Sequence, residues 1–204
     1  MRFYAILDTA YAPCARLPGL CRAVLGGGAD VVQLRAKDLT TAQRVALLQT
    51  FAPLCAQADV PLICNDDIDA ALAVPDVGLH IGQDDLAPRD ARAKLGSKRI
   101  LGLSTHSIAQ AKAALALGST LDYFAVGPVY ATNTKPDYMP VGLELVRAVS
   151  ALAPRLPWAC IGGINTTNVA QVHAAGARAI VSVSIIHQSS DPEKLVRELR
   201  GMMT

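Results

Sequence analysis

Eight short, nearly uninterrupted apolar runs alternate with helix-patterned stretches from one end of this sequence to the other, and that alternation restricts the fold more than any other feature. The runs are Phe3–Leu7, Val31–Leu34, Pro61–Cys64, Gly78–Ile81, Ile100–Ser104, Tyr123–Val126, Trp158–Ile161 and Ala179–Val183. The helical stretches are Leu17–Leu25, Thr41–Ala58, Ile68–Val74, Arg89–Leu95, Ile108–Leu117, Leu143–Leu152, Val169–Ala175 and Pro192–Arg200. A strand that is apolar throughout must be covered on both faces, the condition of a parallel strand in an α/β protein. Eight such units in strict order predict a closed (β/α)8 TIM barrel, with residues 1–204 forming one catalytic domain. An open doubly wound sheet would need a glycine-rich phosphate turn after the first strand, and Asp8-Thr9-Ala10-Tyr11 offers none. Gly26-Gly27-Gly28 closes a helix before the second strand and reads as a cap and turn.

Composition supplies such a core from aliphatic residues: 51% of the chain is hydrophobic, but only 4% is aromatic. A net charge of +2 is too small to imply nucleic acid or a membrane surface as partner. Five scattered cysteines without zinc spacing suggest free thiols in a reducing compartment, so the cytoplasm is expected. The N-terminus reads as a first strand and not as a secretory segment, and no apolar run is long enough to span a membrane. Oligomeric state has no sequence signal here.

In a barrel, chemistry collects at the C-terminal ends of the strands. After the second strand, the two-residue period places Gln33, Arg35 and Lys37 on one side and Leu34 and Ala36 on the other. An arginine at such a position needs an anion, either a carboxylate from a neighbouring strand or the phosphate of a substrate. After the third and fourth strands come Asn65-Asp66-Asp67 and Gly82-Gln83-Asp84-Asp85. Acidic doublets on adjacent strands repel unless a cation lies between them, and oxygen-only ligands suit Mg²⁺. Helix capping is the alternative for Asp67 or Asp84. The fifth strand puts Ser104 and His106 on one face, without the elbow of a nucleophilic serine, so His106 is not expected to act as a base.

The connection from Gly127-Pro128 to Leu143 far exceeds the roughly 2–6 residues usual for such a loop. Its Thr132-Asn133-Thr134-Lys135 run reads as a lid that closes on an anion, with a solvated surface loop as the alternative. Gly162-Gly163 after the seventh strand and Val183-Ser184 after the eighth suit a phosphate held by backbone N–H groups. The rim therefore holds two anion sites. Arg35, Lys37, Lys135 and Asn65 with a metal suit a diphosphate, while Gly163, Val183 and Ser184 suit a monophosphate.

Taken in register, these motifs resemble the thiamine phosphate synthase family along nearly the whole chain: Gln33-Leu34-Arg35-Ala36-Lys37, Asn65-Asp66-Asp67, Gly82-Gln83-Asp84-Asp85, Gly102-Leu103-Ser104-Thr105-His106, Gly127-Pro128-Val129, Thr132-Asn133-Thr134-Lys135, Ile161-Gly162-Gly163-Ile164 and Val183-Ser184. The resemblance implies a transferase of thiamine biosynthesis. It would couple 4-amino-2-methyl-5-pyrimidinylmethyl diphosphate with a thiazole ethyl phosphate, releasing thiamine phosphate and diphosphate. By the same resemblance, the Gln33–Lys37 run, Asn65, Ser104 and Lys135 would hold the pyrimidine diphosphate, with Arg35, Lys37 and Lys135 as the catalytic cations. Asp66 and Asp85 would carry Mg²⁺, and Thr132, Asn133, Thr134, Gly163, Val183 and Ser184 would belong to the substrate site, mostly at the thiazole phosphate.

Three rivals fit less well. A thiazole tautomerase on the same barrel would not need the diphosphate machinery. A Schiff-base aldolase would place a lysine inside a strand, and Tyr123-Phe124-Ala125-Val126 has none. A non-catalytic phosphate-binding barrel would be expected to lose the acidic doublets.

Overall fold

The strands are β1 (Phe3–Asp8), β2 (Val31–Arg35), β3 (Leu62–Asn65), β4 (Gly78–Ile81), β5 (Leu101–Thr105), β6 (Tyr123–Val126), β7 (Trp158–Ile161) and β8 (Ile180–Ser182). In the computed structural model, which describes residues 1–132 and 139–204, each strand pairs in parallel with the next, and β8 returns to β1 to close the barrel. The helices are α1 (Leu17–Gly26), α2 (Thr41–Gln57), α3 (Ile68–Ala73), α4 (Pro88–Leu95), α5 (Ile108–Ala116), α6 (Gly142–Ala151), α7 (Val169–Ala174), α8 (Ser184–Gln188) and α9 (Pro192–Gly201). The glycine run does end α1, as expected. Short α8 is the addition, because five residues are too few to show a helical period in sequence.

Local chemistry starts several of these helices. Thr40 and Gln43 form a reciprocal capping box on α2, and the side chains of Asp67, Ser107 and Asp191 accept first-turn N–H groups of α3, α5 and α9. Pro88 opens α4, where its missing N–H is of no consequence.

Strand alternation divides the core in two. Tyr4, Ile6, Val31, Ile63, Tyr123, Ala159, Val181 and Val183 fill the barrel, while Phe3, Leu7, Leu34, Leu79, Phe124 and Ile180 pack outward with Phe51, Val146 and Leu199 from the helices. The interior is tight enough to require a glycine at position 102, since a Cβ there would lie 2.1 Å from the Tyr123 ring. Among the described residues, no helix is long and apolar enough to cross a membrane.

Candidate functional site

The barrel opens at its C-terminal end into a cavity. Of the residues singled out from sequence, Gln33, Arg35, Asn65, Ser104, Thr132, Gly163, Val183 and Ser184 line it. An adjoining recess is bordered by Ala36, Lys37, Asp66 and Asn65, so Asn65 joins the two spaces. Leu34 borders neither. Its side chain lies in the outer core at 1% exposure, which leaves only its main chain for any contact with a ligand. Asn133, Thr134 and Lys135 lie outside the described residues.

Arg35 ends β2 opposite Asp8 at the end of β1, and the two form an ion pair with Nη1 and Oδ2 2.5 Å apart. The carboxylate-partner alternative for Arg35 therefore holds, yet the guanidinium still lines the cavity. Asp8 is 1% exposed and also accepts the N–H of Ala10 through Oδ1. It fixes the fork of Arg35 in place, leaving further N–H groups to meet an anion. Asp8 belongs to the site although no motif in the sequence marks it. The alternation Tyr4-Ile6-Asp8 was the available signal, since it puts Asp8 on the same barrel face as Arg35.

The two acidic doublets separate by role. Asp67 caps α3 and pairs with Arg44 at 2.7 Å, as the capping alternative holds. Asp84 caps nothing: Ala87 occupies the cap position of α4 and makes no side-chain capping bond. Asp66 has a left-handed backbone (φ 63°), and its N–H bonds to the His80 carbonyl at 2.9 Å. Its carboxylate lies 3.3 Å from Lys37 Nζ. Burial raises the Asp85 carboxyl above its ordinary range, the Gly82 N–H opposes that rise, and the Asp66 carboxylate beside it adds to it. An Asp85 carboxylate that burial and the neighbouring Asp66 charge disfavour gains from a cation shared with Asp66. Their hard oxygen donors fit Mg²⁺, which takes one or two protein carboxylates and completes its shell with water and phosphate oxygens. Among the described residues, no group of three acidic, histidine or cysteine side chains is gathered to hold a metal, here or elsewhere.

At the floor of the cavity, a line of polar side chains crosses the barrel, and Gln33, His80 and Ser104 of that line border the cavity itself. Gln33 Nε2 donates to Tyr4 Oη at 2.7 Å, and Tyr4 Oη lies 2.8 Å from Tyr123 Oη. Tyr123 Oη is 2.7 Å from His80 Nδ1, and His80 Nε2 is 2.9 Å from Ser104 Oγ. None of Tyr4, His80 or Tyr123 is marked by the sequence, because none follows a strand's C-terminal end: His80 lines the cavity from within β4, and Tyr4 and Tyr123 lie one layer deeper.

On the opposite wall, Gly163 has φ 63°, and a Cβ there would lie 2.7 Å from both the Ala131 carbonyl and Tyr130 Cβ. Close approach of these two loops brings Thr132 and Gly163 to one cavity. Ser184 opens α8, whose first-turn N–H groups face away from the helix body. His187, also in α8, accepts the Asp8 N–H through Nε2 at 3.1 Å, and burial lowers its pKa. His106 Nδ1 lies 2.5 Å from the Gly127 carbonyl, which can only accept, so Nδ1 carries the ring proton.

A family model described as thiamine monophosphate synthase matches residues 3–186. A thiamine-phosphate synthase of Acidothermus cellulolyticus is 43% identical over 187 residues, covering 92% of this chain and 88% of the relative. One of Thermobifida fusca is 43% identical over 199 residues, covering 98% and 90% respectively. Among solved structures, a thiamine phosphate pyrophosphorylase from Pyrococcus furiosus superposes with a TM-score of 0.88 at 29% identity, covering 99% of this chain and 95% of that one. A geranylgeranylglyceryl phosphate synthase of Thermoplasma acidophilum, at 14% identity and a TM-score of 0.71, shares the fold alone.

Proposed function

The chain belongs to the thiamine monophosphate synthase family, and from that membership we propose how its residues divide the work of the reaction. The reaction is a transfer: a pyrimidinylmethyl group moves from diphosphate to the ring nitrogen of a thiazole ethyl phosphate, giving thiamine phosphate. One observation carries the assignment of roles. The same cavity is bounded by Arg35 and Asn65 on one wall and by Gly163, Val183 and Ser184 on the other, so two different phosphates can face each other across it.

In this reading, the diphosphate lies over the mouths of β2 and β3, against Arg35, Lys37 and Asn65, with Lys135 from the β6 loop. Gln33 and Ser104 hold the pyrimidine. Thr132, Asn133 and Thr134 from that loop join the Gly163 and Ser184 backbone around the thiazole phosphate. The C–O bond to diphosphate breaks with its electron pair going to the leaving group, and the electron-rich aminopyrimidine supports the positive charge left on carbon. The thiazole nitrogen already has a free lone pair, so no general base is required. Catalysis then consists of neutralising the leaving group and positioning the two rings. Asp66 and Asp85 would hold Mg²⁺, which supplies charge neutralisation at the diphosphate oxygens. Asp8 holds the Arg35 fork to its post, and the apolar walls at Ile6, Ile161 and Val181 keep water from the developing cation. We place the enzyme in the cytoplasm as a one-domain catalyst for small phosphorylated substrates.

The test is product formation by mass spectrometry, with both phosphorylated precursors supplied with and without Mg²⁺. Metal-dependent thiamine phosphate with an equal amount of diphosphate is the expected result. Folded, metal-loaded protein that couples nothing would overturn the proposal.

A further inference from the structure

An asparagine at the start of a helix usually turns its side chain onto the first-turn N–H groups, and Asn168, at the cap position of α7, does not. It points back to the loop that follows β7. Its Oδ1 accepts the Asn165 N–H at 2.8 Å, and its Nδ2 donates to the Gly163 carbonyl at 2.9 Å. A backbone N–H can only donate and a carbonyl can only accept, so the two ends of the amide cannot be exchanged. The helix forgoes a side-chain cap, and the glycine turn gains a clamp.

Peptide geometry decides what the clamp fixes. Gly162 (φ 105°) and Gly163 (φ 63°) both have left-handed backbones, and two glycines in succession leave a turn loose unless something holds it. The Gly163–Ile164 peptide is trans, so its carbonyl and its N–H point to opposite sides. Asn168 holds the carbonyl side and does not border the cavity. Ile164 does border it, yet its side chain is 5% exposed and packs in the outer core. What Ile164 presents to the cavity is therefore its main chain, and its N–H has no partner among the described residues.

We propose that Asn168 is a positioning residue for the thiazole phosphate: it pins the Gly163 carbonyl behind the loop and so aims the Ile164 N–H at the phosphate. This deepens the proposed function and rests on its placement of that phosphate at the Gly163 loop. A main-chain donor has no side chain of its own to orient it, so its contribution depends on how firmly its peptide is held. Asn168 never touches the substrate in this arrangement. Its effect should follow the phosphate and no other part of either substrate.

The experiment compares wild type, Asn168→Ala and Asn168→Asp with the thiazole ethyl phosphate and with its unphosphorylated alcohol. Asn168→Ala should raise KM for the phosphate by about tenfold or more, with KM for the pyrimidine diphosphate changed by less than about twofold. With the alcohol, kcat/KM of the variant should lie within about twofold of wild type, because no phosphate is present to lose the N–H. Asn168→Asp keeps an oxygen for the Asn165 N–H but sets a second acceptor against the Gly163 carbonyl, so it should behave no better than Asn168→Ala. In wild-type protein, the Ile164 amide proton should move downfield in NMR spectra when the thiazole phosphate binds, and not with the alcohol. An equal penalty for phosphate and alcohol, a wild-type KM in Asn168→Asp or an unmoved Ile164 amide would each overturn the inference and leave the proposed function intact, provided wild type still couples. Wild-type protein that couples nothing overturns both.

Discussion

At the residue scale, the contest is between desolvation of charge and its compensation. Asp8 and Arg35 are both largely out of water, so removing one member leaves the other charged without a partner. Asp8→Ala should lower stability by about 3 kcal/mol, the lower end of the range for a broken buried pair, because Arg35 still opens onto the cavity. Urea unfolding read by circular dichroism measures this, and a loss below about 0.5 kcal/mol would show that solvent already compensates the guanidinium. Asp66→Ala should instead act on catalysis, cutting kcat by about 10³-fold while the barrel stays folded, and Arg35→Ala should do the same to kcat while also costing stability, because it leaves the buried Asp8 carboxylate unpaired. Wild-type turnover in either would defeat the leaving-group argument. His106 donates to a loop carbonyl and the proposed chemistry asks no acid–base work of it, so His106→Ala should lower kcat by less than about tenfold. Arg35 was legible in sequence because a charged residue inside an apolar strand demands an anion. Which anion holds it in the free protein was not legible, because Asp8 lies 27 residues away and meets it only when β1 and β2 pair.

At the scale of elements, the start of β1 is tied to the end of the chain. Asp30, just before β2, accepts the N–H groups of Arg2 and Phe3 and pairs with Arg200 of α9 at 3.1 Å. Burial would raise its pKa, but those backbone N–H groups, and then Arg200, outweigh burial and hold it below the ordinary value of about 3.9. A carboxyl depressed in the folded state stabilises the fold above its unfolded pKa and stops doing so as pH falls through the lower folded value. Asp30→Asn should therefore be less stable than wild type at pH 7, and the difference should shrink below about pH 4. Urea midpoints at the two pH values measure this, and an equal difference at both would remove the carboxylate from the explanation. The helices were legible to within a residue or two because caps such as Thr40 with Gln43 are local chemistry. The same is not true of α8, which has five residues and no side-chain cap to mark its start.

At the scale of the whole molecule, closing the sheet converts eight separate strand ends into one rim. Stripping divalent metal with EDTA should abolish coupling and leave the melting temperature within a few degrees of the untreated protein. The reason is that the metal would sit between two loops at the rim and not in the core. A collapse of the melting curve would instead make the cation a structural element. Eight apolar runs in strict alternation with helices were enough to determine the barrel, since doubly covered parallel strands have few other ways to hide both faces. Alternation along the second and fifth strands was enough to put Gln33, Arg35 and Ser104 on inward faces, and those three do line the cavity. Tertiary structure alone decided the partnerships: Asp8 with Arg35, Asp66 beside Asp85, and the line from Gln33 through Tyr4, Tyr123 and His80 to Ser104. The first two contacts need neighbouring strands to pair, and the line needs the barrel to close, so none of them exists in any one segment of the chain.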